Sequence, residues 1–112
     1  EHYAGAFPLW LAPIQVIVLT VTERQDKWAE TVTKMLRAKG IRARADIRNE
    51  KLGKKIREAQ LNKIPYMLVV GDQEVTDMTV SPRTRKGQNL NAMSVDDFIE
   101  LIERECKEVF DR

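Results

Sequence analysis

The chain has 112 residues, 43% hydrophobic and 32% charged, with a net charge of +2. This excludes a disordered polyelectrolyte and leaves one globular domain with a core of its own. A single cysteine, Cys106, excludes an intrachain disulfide and fits a reducing, cytoplasmic setting; the apolar run Pro8–Pro13 is too short to cross a bilayer.

Residues 1–13, EHYAGAFPLWLAP, suit neither helix nor strand, because Pro8 and Pro13 interrupt helical pairing. They read as a linker from a preceding domain of a longer protein, with the present domain at 14–112. Ile14 to Thr20 is a β-branched, nearly all-apolar run, as expected of a central strand covered on both faces. Thr22 to Gln25 has capping-box spacing. It opens a helix carrying Trp28, Val32, Met35 and Leu36 on one side, with Gly40 at the C-terminal cap. At that spacing Trp28 belongs to the core. Ile41 to Ile47 alternates apolar with charged residues, as a strand nearer an edge would.

Leu52 to Leu61 is a short helix with Leu52, Ile56 and Ala59 or Gln60 inward. Tyr66 to Val70 is a second buried strand, and Tyr66 could serve either core or surface. After a turn at Gly71–Asp72, Glu74 to Val80 reads as a strand, and Thr84 to Gly87 as another turn or strand end. Ser94 caps a last helix whose stripe includes Phe98, Ile99, Ile102 and Cys106, the last a buried, inert thiol. The order β-α-β-α-β-β-β-α gives a parallel core with right-handed crossovers and antiparallel additions.

Charge is unevenly distributed. Eight cations and three anions lie in residues 42–63, and Arg83, Arg85 and Lys86 form a second basic segment. Residues 94–112 carry seven acidic and three basic side chains. Two basic segments brought together would attract phosphates; apart, they would be ordinary solvated faces. Chemistry for catalysis is sparse. His2 is the single histidine and lies in the linker, one Cys and one His are too few for a metal site, and Gly71 and Gly87 stand alone rather than in a phosphate loop. No catalytic residue and no metal ligand is expected, and binding is favoured over catalysis.

Three stretches resemble the C-terminal anticodon-binding domain of class II threonyl-tRNA synthetases: EHYAGAFPLWLAP at 1–13, ADIRNEKLGKKIREAQLNKIPYMLVVGDQEV at 45–75, and VSPRTRKGQNLNAMS at 80–94. The resemblance implies an α/β fold, a mixed five-stranded sheet flanked by three helices. It implies a domain that reads the second and third anticodon bases of threonine tRNA, a guanine and a uridine, through Asn49, Lys63, Glu74 and Arg83. Arg83 suits guanine's O6 and N7, Glu74 suits base N–H groups, and Asn49 suits uridine's mixed edge. Lys51, Lys54, Arg57, Arg85 and Lys86 would hold phosphates. Two departures stand out. The family usually has arginine where Lys63 stands, which weakens a two-pronged contact, and an apolar residue where Pro82 stands, which leaves that strand at an edge or bent.

The resemblance also implies a parent threonine–tRNA ligase, cytoplasmic and homodimeric, with ATP, Mg and Zn in its catalytic domain and none in this segment. Alternatives remain at this point. Related prolyl, histidyl or glycyl domains, a module that only docks on a catalytic domain, and a flavodoxin-like ligand binder share parts of the pattern. Asn49 could cap the helix at 52 or make a turn, Glu74 could be an exposed hairpin residue, and Arg83 could pair with an acid.

Overall fold

The computed structural model describes residues 14–84 and 88–110, the last five as helix backbone only. In chain order the elements are β1 (Val16–Thr20), α1 (Asp26–Ala38), β2 (Ala43–Asp46), α2 (Leu52–Leu61), β3 (Tyr66–Val70), α3 (Asp72–Asp77), β4 (Thr79–Thr84), β5 (Met93–Ser94) and α4 (Val95–Phe110). The strands form one sheet in the order β2-β1-β3-β4-β5. β1 pairs in parallel with both β2 and β3, and β4 runs antiparallel to β3 and to β5. The expected parallel core with antiparallel additions is therefore present.

Alternation along the strands divides the core in two. Val16, Val18, Leu68, Val70 and Val80 face one side and pack against Val32 and Leu36 of α1 and Phe98 and Ile102 of α4. Ile17, Leu19 and Met67 face the other side and pack against Ala59 of α2, with Leu52 and Ile56 at the margin. Because every β1 residue is buried, β1 needs apolar side chains in both phases, which explains its unbroken run. Tyr66 belongs to the α1/α4 side: its ring meets Phe98 edge-to-face at 5.6 Å, and its hydroxyl donates to Glu105 Oε1 at 2.6 Å. Trp28 packs beside the same core, and its indole N–H donates to the Thr79 carbonyl at 2.9 Å.

Local signals fix the helix ends. Thr22 caps a 3₁₀ turn, Glu23–Gln25, that leads into α1, and the Gln25 side chain accepts in return from Thr22 N–H at 2.6 Å. α1 ends with Gly40 at φ +80, its N–H donating to Arg37 O while Ile41 N–H donates to Leu36 O, the paired bonds of a Schellman ending. Ser94 Oγ accepts from Asp97 N–H at the start of α4.

One expectation needs correction. The segment 74–77 is not a strand but most of α3, so the described chain has four α-helices rather than three. Glu74 Oε1 accepts from Gly71 N–H at 2.8 Å, and Gln73 Nε2 donates to Asp77 Oδ2 at 2.6 Å. These i to i+3 and i to i+4 side-chain bonds stabilise a helical turn that the alternation of EVTDMTV does not reveal. β2 lies at the edge of the sheet, as its alternation suggests, and Asp46 on its charged face is nonetheless buried. Pro82, by contrast, fits without a bend in the ladder. It faces Leu68 across β3, but its backbone polar side turns the other way, where its carbonyl accepts from Leu90 N–H. The missing N–H therefore takes no bond from the β3–β4 ladder. Cys106 lies in α4, with its side chain outside the described residues, as are residues 1–13.

Candidate nucleic-acid interface

Helices α1 and α4 cover one side of the sheet, while the other carries α2 over β1. On that second side, Val69 of β3 and Ser81 and Arg83 of β4 remain partly exposed, whereas Leu68, Val80 and Pro82 on the opposite side are buried. Arg83 pairs with Met67 across the antiparallel ladder, and directly opposed residues share a face, so Arg83 stands on the α2 side. Its Nε is buried and has no hydrogen-bond partner among the described residues. No ion pair holds it among those residues. Buried donors are nearly always satisfied, so this Nε, without a partner among the described residues at the margin of the open face, is an uncommon feature.

Asn49 lies in the β2–α2 loop, exposed, and makes no hydrogen bond among the described residues. The N-cap of α2 is Lys51, with no side-chain cap bond, so Asn49 does not cap that helix. Its neighbours are anchored on both sides. Arg48 donates from Nε and Nη2 to the two oxygens of Asp46, each at 2.9 Å, and from Nη2 to Glu58 Oε2 as well. Glu50 meets Lys54 at 3.4 Å. Burial pushes the Asp46 carboxyl up, but the hydrogen bonds from Arg48, with the charges of Arg48 and Lys55, outweigh it and hold the group below its ordinary value. The same bonds, Asp46 first and Glu58 second, raise Arg48 above its ordinary value.

Glu74 is half-buried at the start of α3, beyond the C-terminal end of β3, with one oxygen on Gly71 N–H. Lys63 follows α2 at the opposite end of β3 and is exposed. It takes the left-handed conformation, φ 58, at the position where a Schellman ending normally has glycine: Lys63 N–H donates to Gln60 O and Ile64 N–H to Ala59 O. A left-handed lysine costs roughly 1–2 kcal/mol, and glycine gives back roughly 0.5–1 kcal/mol in unfolded-state entropy. Lys63→Gly is therefore expected to raise stability by about 0.5 kcal/mol in thermal denaturation, even though it removes a cation from the candidate surface.

The structure thus brings Asn49 and Glu74 to the C-terminal end of the parallel strands and Lys63 to the other end, with Arg83 on the open face opposite Met67, one residue in from the Lys63 end of β3. Lys51, Lys54 and Arg57 are exposed at three-residue intervals along α2. Arg85 and Lys86 lie outside the described residues. Lys55, counted with the basic stretch, does not belong to its surface: it is 2% exposed and donates to Thr20 O and Thr20 Oγ1 at 3.0 Å and to Asp46 O at 3.2 Å. A signal for this was available, since Lys55 falls three residues after Leu52 and four before Ala59, on the apolar stripe of α2. The Asp46–Arg48–Glu58 chain had no such signal.

A mixed sheet with helices on both faces makes this an α/β domain, and its exposed cations Lys51, Lys54 and Arg57 give one flank a charge pattern that suits phosphates. The chain belongs to the anticodon binding domain family, whose model matches residues 15–105. Curated relatives include the threonine–tRNA ligase of Syntrophotalea carbinolica, 59% identical over 106 residues, and that of Alkalilimnicola ehrlichii, 57% identical over 105 residues. The alignments cover 95% and 94% of this chain but 17% and 16% of those proteins, so the chain spans about a sixth of their length. Among solved structures, the RNA binding domain of threonyl-tRNA synthetase from Cryptosporidium parvum Iowa II superposes with a TM-score of 0.87 at 33% identity, covering 93% of this chain and 26% of that one. Prolyl-tRNA synthetase from Cryptosporidium parvum gives a TM-score of 0.81 at 22% identity, covering 92% and 22%, which shows a shared fold. No helix among the described residues is long and apolar enough to cross a membrane.

Proposed function

We propose that this chain is the tRNA-reading part of a threonine–tRNA ligase, and that it recognises the second and third anticodon bases of threonine tRNA. Arg83 carries the proposal: a partly exposed arginine on the open side of the sheet, with no ion pair among the described residues. Its fork suits O6 and N7 of guanine at the second position. Asn49, whose amide has no partner among the described residues, offers the donor and acceptor that uridine's pairing edge needs. One oxygen of Glu74 is fixed by Gly71, which orients the carboxylate to accept from base N–H groups. From Tyr66 to Val70 is about 13 Å at ~3.3 Å per residue. That separation is too great for one base to meet residues at both ends, and it suits successive splayed nucleotides.

Lys51, Lys54 and Arg57 hold phosphates along α2, helped by the uncapped N-terminal N–H groups of that helix. Lys63, Arg85 and Lys86 extend the basic surface. Residues 1–13 link the domain, 14–112, to the catalytic domain of the longer protein, a cytoplasmic homodimer. ATP, Mg²⁺ and Zn²⁺ belong to that catalytic domain and are assigned no residue here. The fold alone does not select threonine, because the prolyl enzyme shares it; identities of 57–59% to threonine–tRNA ligases support the choice.

The surface is tested by adding a threonine anticodon hairpin to the isotope-labelled chain and following its amide resonances. Shifts are expected at Asn49, Lys51, Lys54, Arg57, Lys63, Glu74 and Arg83. Removing the cations of Lys51, Lys54 and Arg57 together is expected to lower the salt slope of binding by roughly 2–3, at about 0.7–0.9 per phosphate. Shifts confined to α1 and α4 would contradict the assigned face.

A further inference from the structure

A lysine buried to 2% exposure is costly unless each of its three N–H groups finds an oxygen. Lys55 meets that condition entirely at the ends of two strands. It donates to the carbonyl and hydroxyl of Thr20, the last residue of β1, and to the carbonyl of Asp46, the last residue of β2. Thr20 Oγ1 also reaches Asp46 O, at 3.5 Å. Parallel strands that stop here leave carbonyls without a further ladder rung, and Lys55 closes them from below.

Above this closure, Asp46 binds the Arg48 side chain through both oxygens, and its Oδ1 also accepts from Arg48 N–H at 3.3 Å. Arg48 then reaches Glu58 on α2, three residues beyond Lys55 on the same helix. Asn49 is the next residue along. Asn49 and Lys55 line one recess of about 90 Å³, whose wall also includes Arg48 and the acids Glu23, Asp26 and Glu50. Lys55 also lines a larger groove of about 320 Å³ with Asp46, Arg48 and Glu58, so it stands in the wall between the two.

We infer that Lys55 is a positioning residue for base recognition: by tying the ends of β1 and β2 to α2, and with Arg48 bracing the loop from outside, it sets where the Asn49 amide is held. This rests on the reading of Asn49 as a base contact. Lys55 itself is enclosed and touches no RNA, so its effect passes through the loop. A bracing of residues on either side of Asn49, with no bond to its own amide among the described residues, is what a preorganised contact requires.

The test uses the full chain with Lys55→Met, which keeps the length of the side chain and removes its donors. Three quantities are read: hydrogen exchange of amides 46–50, discrimination between hairpins with uridine or another base at the third anticodon position, and the salt slope. Faster exchange at 46–50, with discrimination reduced about tenfold, the size of one lost base contact, and an unchanged salt slope would support the inference. Asn49→Ala added to Lys55→Met should then cost little more. If Lys55→Met does not fold, Arg48→Gln is used instead. Arg48 is half exposed, and its loss should loosen the same loop and reduce third-base discrimination several-fold. Wild-type discrimination retained in a variant whose loop exchanges faster would overturn the inference, as would a slope lowered by about 0.7–0.9, the mark of a direct phosphate contact. A wild-type chain that binds all third-base hairpins equally would overturn the Asn49 reading itself, a different result from either of these.

Discussion

Arg83→Ala is expected to lower affinity for a hairpin with guanine at the second anticodon position by about 1–3 kcal/mol, the worth of a good bidentate base contact. Affinity for hairpins with another base there should change far less. The reason lies in the unliganded geometry. Arg83 Nε has no acceptor among the described residues, so truncation orphans no acceptor among them. Stability should therefore hold while selectivity falls. Arg83→Lys retains charge but not the planar fork, so it should recover general affinity and little of the selectivity. Equal losses for all hairpins would make Arg83 a phosphate contact rather than a reader.

The largest effect on stability is expected at Phe98. Its side chain is fully buried in the core shared by the sheet, α1 and α4, and its ring meets Tyr66 edge-to-face. Phe98→Ala should cost about 3–5 kcal/mol in chemical denaturation. For a domain of this size, whose total stability is about 5–15 kcal/mol, that removes a large share of the margin. Tyr66→Phe, which keeps the ring and gives up the bond to Glu105, should cost only about 1 kcal/mol. A small loss at Phe98 would mean that α4 is not a main support of the sheet.

Much of this architecture was legible in the sequence because local signals and the global fold agree. The run Ile14–Thr20 can be buried on both faces only as a central strand, and β1 is central. Thr22, Gly40 and Ser94 each announce a helix end by their own chemistry. Alternation in the short segment around Glu74 suits a strand as well as a helix, and side-chain bonds to Gly71 and between Gln73 and Asp77 decide for a helix. At the site, Arg83 and Asn49 follow from a family pattern, but neither the open face nor the unmet Nε is visible without the strand register. Lys55 was legible in part, from its place on an apolar stripe; its partners Thr20 and Asp46 are 35 and 9 residues away in sequence, and only folding brings all three together. Lys63 departs from the family's arginine and stands in left-handed backbone, a combination that sequence spacing does not foretell.

The central claim is that this domain reads bases and does more than attract phosphates. It is tested most directly by measuring the affinity of the chain, at one salt concentration, for threonine anticodon hairpins that differ only in the second base. The account predicts that guanine binds more tightly than adenine, cytosine or uridine by about 1–3 kcal/mol. Equal affinity for all four would contradict it.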